Sequence, residues 1–242
     1  MDFKLEVPTA LEYFASLVQS DEHFPLLEAA ASLAQDEYPD LDIQDVLDQV
    51  DQLAGRLKQR LPADAGALHR LRLLNKFFFE EHGFAGNLNN YYDPDNSYLH
   101  VMLRTRRGIP ISLAVLWLEL ASSLGLQAQG VGFPGHFLVK VRLPFPHEGQ
   151  VLIDPFTGES LSKEELLERL APLHAESGLL RDGGVSDELL KHYLRAATPR
   201  EIVARMLRNL EEVYTSHQDP ERLMMVRQRL MVLLPQVQDD EE

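Results

Sequence analysis

The sequence predicts a chain of mixed class, helical at both ends with a β-hairpin between. Three observations carry this. Apolar residues recur at helical spacing through most of residues 10–81. The run from Pro110 to Leu124 is apolar nearly all round, as a buried helix should be. From Gln129 to Phe156 the pattern turns to Val, Phe and Gly, interrupted by Pro144, Pro146 and Gly149.

The elements follow in order. Thr9 and Glu12 form a capping box for a helix through Leu11, Phe14, Ala15 and Val18. Phe24-Pro25 opens a second helix around Leu26, Leu27, Ala30 and Leu33. Between Asp42 and Leu61, Ile43, Val46, Leu47, Val50, Leu53 and Leu57 trace one face, ended by Pro62. A fourth helix runs from Leu68 to Glu81 and stops near Gly83. These acid-rich helices read as a solvated cap over a core.

The stretch GNLNNYYDPDNSYL breaks the rhythm with turn formers: Gly86, Asn87, Asn89, Asn90, Asp93 and Pro94. Asn96 or Ser97 is then expected to cap a short helix through Leu99, Met102 and Leu103. Pro110 suits the first position of the central helix, and Gly125 its end. Two runs, Gln129–Leu143 and Gln150–Phe156, form the hairpin. Ser162 with Glu165, and Thr198 with Pro199 and Glu201, are further capping signals. The second opens a helix through Ile202, Met206, Leu210 and Val213. After Asp219-Pro220 another follows through Leu223, Val226, Leu230 and Leu233.

Composition bounds the function. The chain has 242 residues, 45% of them hydrophobic and 25% charged, as expected of a folded globular protein. A formal charge of −15 opposes non-specific nucleic-acid binding. The cluster Arg104, Arg106 and Arg107 reads as helix-end charge complementing the macrodipole. Without cysteine, the chain has no disulfide, thiolate ligand or thiol nucleophile. No leader-like start or membrane-length apolar run is recognisable, so the expected compartment is the cytoplasm, with neither membrane nor nucleic acid as partner. No cofactor is called for.

Three residues could carry chemistry. Ser112 falls in the first turn of the central helix, where free N–H groups and the helix dipole favour a developing anion. His136 lies on the first hairpin run and Asp154 on the second. A turn centred near Phe145 would set them opposite one another, within hydrogen-bond reach. Serine, imidazole and carboxylate in that order make a nucleophilic relay. Each residue also has a plainer role: a first-turn serine bonds its own backbone, a strand histidine is a satisfied half-buried residue, and Asp-Pro starts a turn. Asn89, Tyr92 and Asn96 could supply polar contacts to a ligand, and Gly135 close approach to main chain. His100 and His147 share no ligand spacing with His136 and Asp154, which ranks a metal site below the relay.

The motifs GNLNNYYDPDNSYL, RRGIPISLAVLWLELASSLGL, GVGFPGHFLVKV, LIDPFTGESL and REIVARMLRNLEEVY resemble the bacterial transglutaminase-like core 2 family, relatives of the papain superfamily whose enterobacterial members are known as invasion-gene regulators. The resemblance covers nearly the whole chain. It implies an α+β fold: a helical N-terminal region (1–84), a transglutaminase/papain-like core (85–197) whose central buried helix packs on an antiparallel sheet, a tetratricopeptide-like helical pair (198–236) and an acidic tail (237–242). It also implies that Ser112 stands where a transglutaminase or papain-like protease has its cysteine, with His136 and Asp154 as the superfamily histidine and acid. Serine is then usual for this family at that position. A hydroxyl needs general-base help that a thiolate does not, so transglutaminase activity is not expected. The expected function is a regulatory or binding protein, a pseudoenzyme with a protein, peptide or acyl partner. The alternative is a Ser-His-Asp hydrolase or acyl transferase acting on a peptide, amide or ester.

Overall fold

The computed structural model describes residues 8–177 and 186–235; the acidic tail at 237–242 lies outside them. Four helices come first: α1 (Ala10–Leu17), α2 (Leu26–Ser32), α3 (Ile43–Gln59) and α4 (Ala67–Asn75). The Thr9–Glu12 box forms in both directions, and Asp42 caps α3. Beyond Asn75 the helix widens over Lys76–Glu81, so that His82 N–H donates to Phe77 O at 3.0 Å.

Strand β1 (Ala85–Gly86), α5 (Leu99–Thr105), β2 (Arg107–Gly108) and α6 (Pro110–Ser123) follow. The two short strands pair in parallel, Gly86 opposite Gly108, a pairing with no local sequence signature. It ties the start of the turn-rich loop to the mouth of α6. The expected cap at Asn96 or Ser97 is not made. Tyr98 precedes α5 without a side-chain cap bond, because both candidates sit inside a tight turn, Pro94–Ser97, which Asp93 caps.

Helix α6 is the centre of the molecule. Ile111, Leu113, Ala114, Val115, Leu116, Trp117, Leu120 and Ala121 are all buried, and Trp117 Nε1–H donates to Asn75 Oδ1 at 3.1 Å. One side of the helix packs on β3 (Gln127–Val131) and β4 (Leu138–Leu143). With β5 (Gly149–Ile153) and β6 (Ser160–Leu161) these form an antiparallel sheet in sequential order. The fold is therefore α+β, with a buried helix on an antiparallel sheet.

The first run of the expected hairpin divides in two. Gly132, Pro134 and Gly135 bend the chain between β3 and β4, and His136 lies in this bend rather than on a strand. Gly135 takes a φ of +67°, a conformation that favours glycine.

Helices α7 (Lys163–Ser177), α8 (Asp187–Tyr193), α9 (Pro199–Ser216) and α10 (Pro220–Leu233) complete the fold. The Ser162–Glu165 and Thr198–Glu201 boxes both form. Ile202, Val203, Met206, Leu207 and Leu210 of α9 enter the same core as α6, and the hydroxyls of Tyr98 and Tyr214 meet at 2.6 Å. Arginines of the last two helices clasp the first elements of the chain. Arg200 donates to Val18 O at 2.6 Å and to Asp21 at 2.7 Å. Arg222 pairs with Glu37, and Arg229 with Asp36. No helix among the described residues is long and apolar enough to cross a membrane.

Candidate functional site

The turn-rich loop is built by its own asparagines. Asn96 is buried; its Nδ2 donates to the carbonyls of Asn90 (2.6 Å) and Tyr91 (3.1 Å), and its Oδ1 accepts from Asn87 Nδ2 at 2.9 Å. Asp93 accepts from Asp95 N–H at 3.0 Å and from Asn90 Nδ2 at 2.8 Å. Gly86 N–H donates to Phe156 O, and a Cβ at Gly86 would lie 2.2 Å from the Phe156 ring, so only glycine lets the loop pass that close. The loop carries Tyr91 and Tyr92, both exposed, edge to face with each other.

His136 and Asp154 meet. Nε2 of His136 lies 2.7 Å from Asp154 Oδ1. That oxygen also accepts from Phe156 N–H at 2.9 Å, while Oδ2 accepts from Arg169 of α7 at 3.1 Å. Burial pushes the Asp154 carboxyl up, but the bonds from His136, Phe156 and Arg169 together outweigh it and hold the group below its ordinary value. With Nε2 engaged by Asp154, Nδ1 of His136 has no hydrogen-bond partner among the described residues.

Ser112 is placed differently. It is fully buried, and its Oγ donates to Asn96 O (2.7 Å) and Ile109 O (3.0 Å). Among the described residues no hydrogen bond joins it to His136. A Cβ at Gly108 would lie 2.7 Å from that Oγ, 3.0 Å from Met102 Sδ and 3.3 Å from Asn96 O. Gly108→Ala is therefore expected to destabilise the fold by about 2 kcal/mol through overpacking. Adding Ser112→Ala should recover part of that loss, because it removes the nearest obstructing atom. Urea unfolding of the two single variants and the double variant measures the coupling, and strict additivity would contradict this packing.

Beside His136 opens a cavity of about 310 Å3. His136, Gly135 and Phe137 form one wall, and Tyr91, Tyr92 and Asp93 the rim. Ile109, Pro110 and Ile111, at the start of α6, reach it, but Ser112 is not among its lining residues. The opposite wall is α9, through Arg205, Asn209, Glu212 and Val213. Of the residues expected to contact a ligand, Tyr92 and Gly135 line this cavity. Asn89 is exposed and outside it, and the Asn96 side chain is spent on organising the loop. Sequence reasoning missed Arg169 and the α9 wall. The latter had a signal, since Arg205, Asn209 and Glu212 recur at helical spacing beside the apolar stripe of α9.

Among the described residues no three His, Asp or Glu side chains are grouped to hold a metal ion. His100 packs against Tyr38 and Tyr98, and His147 lines a different groove beside α4.

Comparison with known proteins supplies the family. The model described as Transglutaminase-like superfamily (core 2) matches residues 44–208. A UPF0162 protein of Xylella fastidiosa (strain 9a5c) is 39% identical over 216 residues, spanning 89% of this chain and 74% of that protein. A UPF0162 protein of Pseudomonas aeruginosa is 32% identical over 210 residues, 87% of this chain and 72% of its own length. F-box only protein 21 of Mus musculus is 40% identical over 70 residues, 29% of this chain and 11% of that protein. No solved structure matches. With the family match running from α3 through the His136–Asp154 pair into α9, this chain belongs to the transglutaminase-like superfamily, in its core 2 branch.

Proposed function

We propose that this chain is a regulatory or binding member of the family, in which the His136 cavity receives a peptide or acyl group and no transglutaminase chemistry takes place. In this reading, which follows the family resemblance, Ser112 stands where catalytic relatives have a cysteine, and the chain itself has no cysteine. One observation carries the reading: the Ser112 hydroxyl is fully buried, donates to two main-chain carbonyls and does not line the cavity. A nucleophile must reach its substrate with its proton directed at a base. Here the proton is directed at Asn96 O and Ile109 O, and Gly108 packs over the oxygen. The histidine remains oriented by Asp154, so the cavity keeps a fixed polar group in its lining. That suits recognition of an amide or hydroxyl.

The hydrolase reading has one observation in its favour, the 2.7 Å His136–Asp154 bond at the edge of an open cavity. A fluorophosphonate serine probe, read by intact mass, separates the two. No adduct at Ser112 is expected in the folded protein, and Ser112→Ala should retain whatever ligand the wild type binds. An adduct at Ser112 that disappears in both Ser112→Ala and His136→Ala would overturn the binding reading.

A further inference from the structure

A second cavity, of about 530 Å3, lies on the other side of the bend that carries His136. Gly135, Phe137 and Arg205 line both cavities, so the two adjoin across this bend. The second is rich in cations: Arg195, Arg205 and Arg208 line it, with Glu201 as its acidic residue.

Glu201 is already engaged, gripping Arg195 through both carboxylate oxygens at 2.6 and 3.2 Å. Arg205 is half-buried, yet among the described residues its guanidinium hydrogen-bonds only neutral acceptors. It donates to His136 O at 2.8 Å and to Phe133 O at 3.3 Å, and lies 5.7 Å from the Phe137 ring centre. Arg208, one turn along α9, is exposed and has no hydrogen bond or ion pair among the described residues. Among the described residues of a chain with a formal charge of −15, two guanidinium groups of one groove thus have no carboxylate partner. Desolvating Arg205 is a cost that an anion in the groove would offset. Guanidinium pairs equally well with carboxylate or phosphate.

The combined size of the two adjoining cavities exceeds what a lone anion needs, and the exposed glycines at 132 and 135 allow main chain to approach closely. A long polyanion is disfavoured by the net charge of the protein. We propose that the Arg205–Arg208 groove is the anion subsite of a peptide site, gripping an Asp, Glu or phosphorylated side chain while neighbouring residues of the same peptide enter the His136 cavity. The peptide part of this inference rests on the function proposed above; the anion part rests on the groove alone.

Randomised octapeptide pools, immobilised and differing only in a fixed central Glu, phosphoserine or Gln, test both parts with the full chain. At about 150 mM salt, where weak surface attraction is already screened, the Glu or phosphoserine pool should retain about fivefold more protein than the Gln pool, the preference expected of one partly exposed charge pair. Which of the two anionic pools is favoured identifies carboxylate or phosphate as the source. Arg208→Glu, an exposed substitution whose folding circular dichroism verifies, should abolish that preference, and Arg208→Lys should keep part of it. Equal retention on all three pools, including none on any, overturns the anion subsite; so does a preference that survives Arg208→Glu. His136→Gln reports on the cavity separately. It should lower retention on every pool while leaving the ratio between pools unchanged. If it lowers none, the His136 reading fails and the groove stands.

Discussion

Replacing Arg229 by alanine is expected to remove about 4 kcal/mol of folding stability. The side chain is 1% exposed although it carries a full charge. Its Nε and Nη2 hold Asp36 at 2.6 and 2.9 Å, and the guanidinium sits 5.0 Å from the Phe14 ring centre. One residue of α10 thereby fixes both α1 and the turn after α2. Truncation leaves Asp36 without its cation and opens a hollow against Phe14, two of the costliest changes a core can suffer. The remaining nitrogen, Nη1, is buried with no partner among the described residues, so the native arrangement is itself not fully satisfied. It follows that Arg229→Met combined with Asp36→Asn should recover most of the loss, since volume is kept and the unpaired charge is gone. Urea unfolding of the three proteins measures this. A single variant within about 1 kcal/mol of wild type would show that the pair contributes only what a surface ion pair does.

Asp154→Ala should cost about 3 kcal/mol near neutral pH and release the His136 ring. The carboxylate accepts from His136, Phe156 and Arg169 at once, and all three lose their acceptor together. The direction of its titration gives a sharper test. Because the folded-state value is held below the ordinary 3.8, the stabilisation is complete above that value and is lost as pH falls through the lowered one. The part of the stability gap between wild type and Asp154→Asn that the carboxylate charge supplies should therefore shrink as the solution is acidified below about pH 4 and the carboxylate takes up its proton. Chemical denaturation along a pH series reads it. A gap unchanged down to about pH 2 would mean that the three bonds do not favour the ionised form.

The helical part of the fold was legible in the sequence because its signals are local. Thr9 with Glu12, Ser162 with Glu165 and Thr198 with Glu201 each make the reciprocal bonds their spacing predicts. The apolar run after Pro110 forms the buried central helix. The β region was harder. The pairing of β4 with β5 sets Val139 opposite Ile153, a register shifted by two residues from the one expected. His136 and Asp154 still meet, for a reason the alternation of residues does not carry. The bend brings His136 N–H to Phe133 O, and the turn after β5 brings Asp154 N–H to Glu159 O, so each side chain is aimed by its own turn. The parallel β1–β2 pair and the α9 wall depend on contacts between distant segments. Asn96 shows the reverse. Its residue type suggested a ligand contact, but its neighbours in the same loop consume its hydrogen bonds.

The placement of α9 and α10 bears on how the protein is made. During synthesis the histidine and aspartate emerge from the ribosome well before Arg205, Asn209 and Glu212, so the nascent chain holds the polar pair before it has the far wall of the cavity. The arginines that reach back to Val18, Asp21, Asp36 and Glu37 come from the same late segment. The N-terminal helices must wait until α9 and α10 have been made before their last partners arrive. The far wall of the cavity and the arginines that clasp the N-terminal elements thus come from one segment, made after the polar pair.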